Sequence, residues 1–182
     1  MTEINPNNFP ARHCSGYLSA DTASALYWHL KDNIPWIAGV PSRMHPQAVT
    51  RKACPITSLE QDPLLGEMIV KIVRWITLEH IVKPLNRTSI NANNVLNFVE
   101  IDGIYLNNYE NGEHYTPTHS HPDSIQLVIS LGATRTLTVN SKKYELKSGD
   151  IIMFGSQKHG VPKDPTCTEG RISIAMFLRF NF

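Results

Sequence analysis

With 182 residues, 41% of them hydrophobic, the chain can bury a substantial core and falls in the size range of one domain, residues 1–182. Lys and Arg number 17 against 16 Asp and Glu, a net charge of +1, which excludes a protein acting through a broad basic field. Any contact with nucleic acid must then come from a local patch. No stretch approaches the roughly 18 continuous apolar residues of a membrane span, and residues 1–10 are polar, so the expectation is an intracellular protein without a secretory signal or membrane contact. Cys14, Cys54 and Cys167 are odd in number and far apart, as expected of reduced thiols rather than a disulfide framework.

The first half of the chain reads as helical. Ser19 is placed to cap a helix running to about Lys31, with Ala23, Leu26, Leu30 and Ile34 on one stripe and Pro35 ending the pattern. A second helix is predicted over about 64–82, where Leu65, Met68, Ile69, Ile72 and Ile76 recur at helical spacing between Pro63 and Pro84. Residues 38–62 lie between them, rich in polar residues and Pro and lacking a period. They read as a long surface loop carrying Arg43, Arg51 and Lys52: either a solvated irregular segment or a substrate lid.

From about residue 95 the pattern changes to short strands. Residues 95–101 and 104–109 flank Asp102-Gly103, which suits a tight hairpin turn. Further strands are predicted over 125–131, 134–139, 143–146, 151–154 and 171–180. Such spacing suggests an antiparallel sandwich or barrel. The last strand puts Ile172, Ile174, Met176, Leu178 and Phe180 on one face. Its other face carries Arg171, Ser173, Ala175, Phe177 and Arg179.

His119 and His121 precede an apolar strand. On extended backbone, residues two apart project to one side about 6.6 Å apart, so both imidazoles can reach one ion. His159, after a later strand, is a candidate third ligand. An H-x-H of this kind equally suits solvated histidines or a pair with Asp123, since imidazole is a common but uncommitted metal ligand. His13, His29, His45, His80 and His114 show no pattern. Arg171 opens the last strand on the face that would point into a small barrel. There it needs an anion, either a bound carboxylate or an internal acid such as Glu169.

Several of these segments together resemble the AlkB family of iron(II) and 2-oxoglutarate dependent dioxygenases. Residues 107–112, Asn-Asn-Tyr-Glu-Asn-Gly, are similar to its N-x-Y-x-x-G, and 130–136, Ser-Leu-Gly-Ala-Thr-Arg-Thr, to its S-[LF]-G-A-T-R-T. Leu146 to Asp150, His159 to Lys163 and Arg171 to Ile174 resemble the family's later strand, second-histidine and terminal-arginine segments. The resemblance covers residues 97–180 well and 18–36 weakly. It implies an α+β fold: a double-stranded β-helix, jelly-roll or cupin-like, over about 95–182, with the N-terminal helices of 1–94 packed on one sheet. Iron(II) would be held by His119 and His159, and 2-oxoglutarate by Asn107, Tyr109, Arg171 and Ser173. Asp123 falls where the family has an acidic residue near its base substrate.

Two positions depart from that family. Its H-x-D reads His119-Ser120-His121, and the second arginine of its last strand, six residues after Arg171, is Phe177. One change removes a negative charge and the other a positive one, which favours a site re-tuned to three histidines, His119, His121 and His159. A shifted register, His121 with Asp123, would instead keep a carboxylate ligand. The implied activity is oxidative dealkylation or hydroxylation of a base in single-stranded or base-flipped nucleic acid, using oxygen and 2-oxoglutarate. Arg43, Arg51, Lys52 and Arg135 are the candidate phosphate contacts. An oxygenase acting on a different substrate and a non-catalytic three-histidine metal module are the alternatives.

Overall fold

The computed structural model describes residues 4–38 and 51–182. Within them the strands are β1 (Arg12–Cys14), β2 (Lys52–Ile56), β3 (Val99–Tyr109), β4 (Thr116–His119) and β5 (Ile125–Gly132). They continue with β6 (Arg135–Val139), β7 (Lys142–Leu146), β8 (Ile151–Phe154), β9 (His159–Val161) and β10 (Arg171–Phe180). They form two antiparallel sheets, one in the order β1-β8-β5-β10-β3-β2 and the other β4-β9-β6-β7. Helices α1 (Ala20–Asn33) and α2 (Pro63–Thr77) cover the larger sheet. The architecture is an α+β double-stranded β-helix.

Both helices begin where local chemistry satisfies their first N–H groups. The Thr22 N–H donates to Ser19 Oγ at 3.2 Å, and the Leu65 N–H to Asp62 Oδ1 at 3.0 Å. Pro63 occupies the first turn of α2, where its missing N–H costs nothing. Beyond Thr77 the helix continues as one wider turn, Leu78–Val82, closed by the Lys83 N–H on the Leu78 carbonyl.

The alternation in β10 decides the layering. Ile172, Ile174, Met176, Leu178 and Phe180 are all buried with Ala23, Leu26 and Leu30 of α1 and Leu65, Ile69, Ile72 and Ile76 of α2. Each such side chain contributes about 1.5–3 kcal/mol by leaving water. A second cluster lies between the sheets and includes Tyr109, Val128, Leu137, Ile152, Phe154 and Val161. Arg171 and Ser173 face this inner space, 1% and 3% exposed.

The structure corrects three expectations. Residues 95–98, expected to open a strand, form a 3-10 turn ahead of β3. No hairpin turn occurs at Asp102-Gly103: β3 runs through it, and its pairing with β10 shifts from Phe177↔Gly103 to Leu178↔Ile101. Asp102 is therefore the extra residue of a β-bulge, a geometry that uses the same residue types as a turn. Residues 38–62 are also not loop throughout. β2 pairs with β3 from Lys52↔Asn108 to Ile56↔Ile104, and Leu59–Gln61 forms a 3-10 turn. Pro55 is tolerated because β2 is an edge strand. Arg43, His45 and the central part of the expected lid lie outside the described residues.

Candidate metal centre

β4 and β9 are neighbours in the smaller sheet, and their register places His119 directly opposite His159. His121 lies just beyond the end of β4 and turns back toward them. Ring centroids are 4.3 Å apart for His119 and His159, 5.0 Å for His119 and His121, and 5.6 Å for His121 and His159. One nitrogen from each ring lies within 4.8 Å of the others, a spacing compatible with shared coordination of one ion. Asp123 is not in this group; it is exposed and lines the adjoining cleft.

Backbone contacts set the imidazole orientations. His119 Nδ1–H donates to the Pro117 carbonyl at 2.8 Å, and His159 Nδ1–H to the Gln157 carbonyl at 2.9 Å. A carbonyl can only accept, so in both neutral rings the lone pair is left on Nε2, the tautomer a metal ligand needs. Burial, helped by the neighbouring imidazoles, pushes the pKa of His159 down to about 3 and that of His121 to about 4. Phe154 and Phe177 wall the site, with ring centroids 4.8 Å from His159 and 4.6 Å from His121.

Deeper between the sheets lies a polar floor. Arg171 Nε donates to Ser130 Oγ at 2.8 Å, and its guanidinium carbon lies 5.3 Å from the centre of the Tyr109 ring. Its Nη1 is buried without a hydrogen-bond partner, and among the described residues no carboxylate, Glu169 included, pairs with it. Burial pushes the Arg171 pKa down. Asn107 Nδ2 reaches Ser173 Oγ at 3.4 Å, and Tyr109 Oη shares a 2.7 Å hydrogen bond with Thr116 Oγ1. The strand registers bring these groups together, since Arg171 pairs with Tyr109 and Ser173 with Asn107. An isolated buried cation is costly, so this floor is suited to an anion.

Beside His121 a cleft of about 350 Å³ opens between Asp102, Gly103, Tyr105, Pro122, Asp123, Ser124 and Phe177. Tyr105 packs edge-on against Phe177 and remains half exposed, and Asp102 pairs with Arg179 at 2.6 Å. The cleft is thus walled by two aromatic rings and two acids.

The structure corrects two of the candidate phosphate contacts, Arg135 and Arg51, while Arg43 lies outside the described residues. Arg135 is 1% exposed, and its guanidinium donates to the carbonyls of Asn111, Gly112, His114 and Pro162 at 3.0, 3.5, 3.0 and 2.8 Å. Arg51 Nε donates inward to Asn107 Oδ1 at 2.7 Å, while Lys52 pairs with Glu110 at 2.6 Å. Four backbone acceptors can bury an arginine as well as an acid can, which the residue type does not reveal. Ser130, the direct partner of Arg171, and Thr116 were not singled out as site residues by the sequence. Their signal is positional: Ser130 lies opposite Ser173, two residues from Arg171.

No protein-family model matches the sequence, and no curated protein matches it significantly. The fold, however, is shared with solved iron(II) and 2-oxoglutarate oxygenases. A Pseudomonas putida prolyl-4-hydroxylase superposes with a TM-score of 0.64 at 13% identity, covering 97% of this chain and 95% of that one. The 2-oxoglutarate dependent carbocyclase SnoK from nogalamycin biosynthesis gives 0.66 at 8% identity, with 99% and 87% covered. HygX from Streptomyces hygroscopicus, with nickel and 2-oxoglutarate bound, gives 0.59 at 8% identity, with 96% and 84% covered.

Proposed function

We propose that this chain is an iron(II) and 2-oxoglutarate dependent oxygenase. The observation that carries the reading is the pairing, within one barrel, of three converging imidazoles with a buried arginine whose Nη1 lacks a partner. These are complementary to a metal and to the far carboxylate of a dicarboxylic keto acid. His119, His121 and His159 hold the ion, and Arg171, Asn107, Tyr109 and Ser173 hold the co-substrate. When bound, iron and 2-oxoglutarate supply the oxidation of a substrate C–H bond by oxygen, with succinate and carbon dioxide as co-products. Arg171 orients the co-substrate by a charge-assisted hydrogen bond, and the backbone carbonyls on His119 and His159 keep Nε2 free. Phe154 and Phe177 exclude water on two sides. Residues 1–182 act as one domain in this reading, with the helices supporting the larger sheet.

Three neutral imidazoles neutralise none of the ion's charge, so metal choice and potential differ from those of a site with a carboxylate ligand. The substrate enters beside His121, between the Tyr105 and Phe177 rings and the Asp102 and Asp123 carboxylates, a lining suited to a flat or cationic group. A peptide or small molecule is favoured, because Arg135 is buried on backbone carbonyls and Arg51 is bonded inward to Asn107, which leaves Lys52, paired with Glu110 at the surface, as the remaining described candidate for a phosphate. The second reading is the N-alkylated base of a single-stranded or flipped nucleotide, favoured by the sequence resemblance and by an aromatic and acidic cleft. There Asp123 would face the base, and the hydroxylated alkyl group would leave as an aldehyde.

Protein purified without oxygen, then given iron, 2-oxoglutarate and oxygen, should release succinate, and His159→Ala should abolish that release. Succinate release that is absent, or indifferent to His159→Ala, refutes the oxygenase reading. Loss of metal in His121→Ala but not in Asp123→Ala supports three histidine ligands; the opposite result supports the shifted register. Aldehyde release from a methylated single-stranded oligonucleotide, with affinity falling steeply with salt, would select the nucleic-acid reading.

A further inference from the structure

The larger sheet brings a second arginine to the polar floor. β2 pairs with β3 through Lys52↔Asn108 and Ala53↔Asn107, and Arg51, in the bend just before β2, reaches across to Asn107 Oδ1. That bond puts the Arg51 guanidinium on the inner face with Asn107 and Tyr109. Lys52 falls on the other face and reaches Glu110 at 2.6 Å. On the opposite side of β3, Tyr109 is paired with Arg171. The Asn107–Tyr109 stretch of β3 is therefore met by two arginines, Arg51 through Asn107 and Arg171 through Tyr109.

Their bonding is parallel as well. Arg51 Nε is spent on Asn107 Oδ1 at 2.7 Å and Arg171 Nε on Ser130 Oγ at 2.8 Å, each a neutral acceptor. In both residues Nη1 is buried and, among the described residues, has no hydrogen-bond partner. Along the rest of that face of β10, Ser173, Ala175 and Phe177 are uncharged, and Arg179 lies exposed at the far end, paired with Glu100 and Asp102. A fully buried guanidinium beside a part-buried one, each with an open buried Nη1, favours an anion placed to receive both donors.

We propose that Arg51 is a second anchor for the co-substrate, donating from Nη1 to the distal carboxylate that Arg171 holds from the other side. This rests on the 2-oxoglutarate reading above and adds a positive charge from just before β2 that the sequence of β10 alone does not provide. The fixed fork of each guanidinium suits two donors on one carboxylate, which would sharpen selection for a dicarboxylic over a monocarboxylic keto acid.

The test is calorimetric affinity, with manganese(II) in place of iron so that no turnover occurs. Two ligands are compared: 2-oxoglutarate, and 2-oxobutyrate, which lacks the distal carboxylate. Arg51→Ala should weaken 2-oxoglutarate about tenfold or more and leave 2-oxobutyrate within about twofold, with Arg51→Lys recovering part of the loss. Unchanged 2-oxoglutarate affinity, or equal loss of both ligands, would overturn the role of Arg51. In the first case Arg171→Ala would still lose 2-oxoglutarate, leaving the co-substrate reading intact. Wild-type protein that binds neither keto acid, or binds both alike, would overturn that reading itself. A thermal melt of each variant separates loss of binding from loss of fold.

Discussion

Replacing Arg135 by Met tests whether this buried cation is structural or meets a ligand. Its side chain spans the two segments next to the strands that carry His119 and His159. Asn111 and His114 lie in the connection from β3 to β4, and Pro162 directly follows β9. Met preserves much of the aliphatic stem while leaving four carbonyls, those of Asn111, Gly112, His114 and Pro162, without their donor. At about 1.5 kcal/mol for each charge-assisted bond, partly offset by water and relaxation, Arg135→Met should cost about 3–5 kcal/mol. For a chain of this size 1 kcal/mol moves the melting temperature by about 2–4 °C, so the fall should be about 6–20 °C by circular dichroism. Metal affinity should fall as well, because β4 and β9 lose their common tie. A melting temperature within about 3 °C of wild type, with a shallower salt dependence of oligonucleotide binding, would refute the structural role and restore Arg135 as a phosphate contact.

Gly112→Ala should be destabilising by several kcal/mol in a denaturant titration, since a Cβ there would lie 1.6 Å from the Asp164 carbonyl oxygen and 2.8 Å from that of Cys167. Asp62→Ala removes both the acceptor for the Leu65 N–H and the 2.7 Å partner of His29, and should cost about 1–2 kcal/mol in the same assay. Metal-free protein should lose stability on acidification. His121 and His159 titrate near 6.5 when unfolded but at about 4 and about 3 when folded, so below pH 6.5 the unfolded chain binds more protons. At pH 5 His159 contributes a loss of about 2 kcal/mol relative to neutral pH and His121, partly open to solvent, less, and a melting temperature unchanged between pH 7.5 and 5 would contradict their burial as neutral rings.

What the sequence disclosed depended on how far each feature reached along the chain. β10 was legible because it lies between two packed layers over ten residues, so strict alternation of its side chains is enforced. Ser19 and the α2 stripe were legible for the same reason, being local and repeated. β1, β4 and β9 are three or four residues long and carry no period; β4 is interrupted by Pro117. Their pairing is decided by partners distant in sequence, β1 with β8 and β4 with β9. In the candidate site, His119 and His121 announced themselves by spacing, and Arg171 by a charge on an inward face. Arg51 and Arg135 read as surface cations because composition records a charge but not the carbonyls or amide that receive it.

The place of β10 in the larger sheet has a consequence for assembly. It is the last strand in the sequence yet sits between β5 and β3, taking part in ladders from Arg171↔Gly132 to Leu178↔Ile125 and from Arg171↔Tyr109 to Phe180↔Val99. Until it arrives, β3 and β5 each present an open edge, and the floor that holds Arg171 does not exist. The chain must therefore pass through a stage in which apolar strands wait for a distant partner, with the slow closure and aggregation risk of non-local pairing. Binding competence and completion of the core would then come in one step, leaving no folded intermediate that can take up a keto acid.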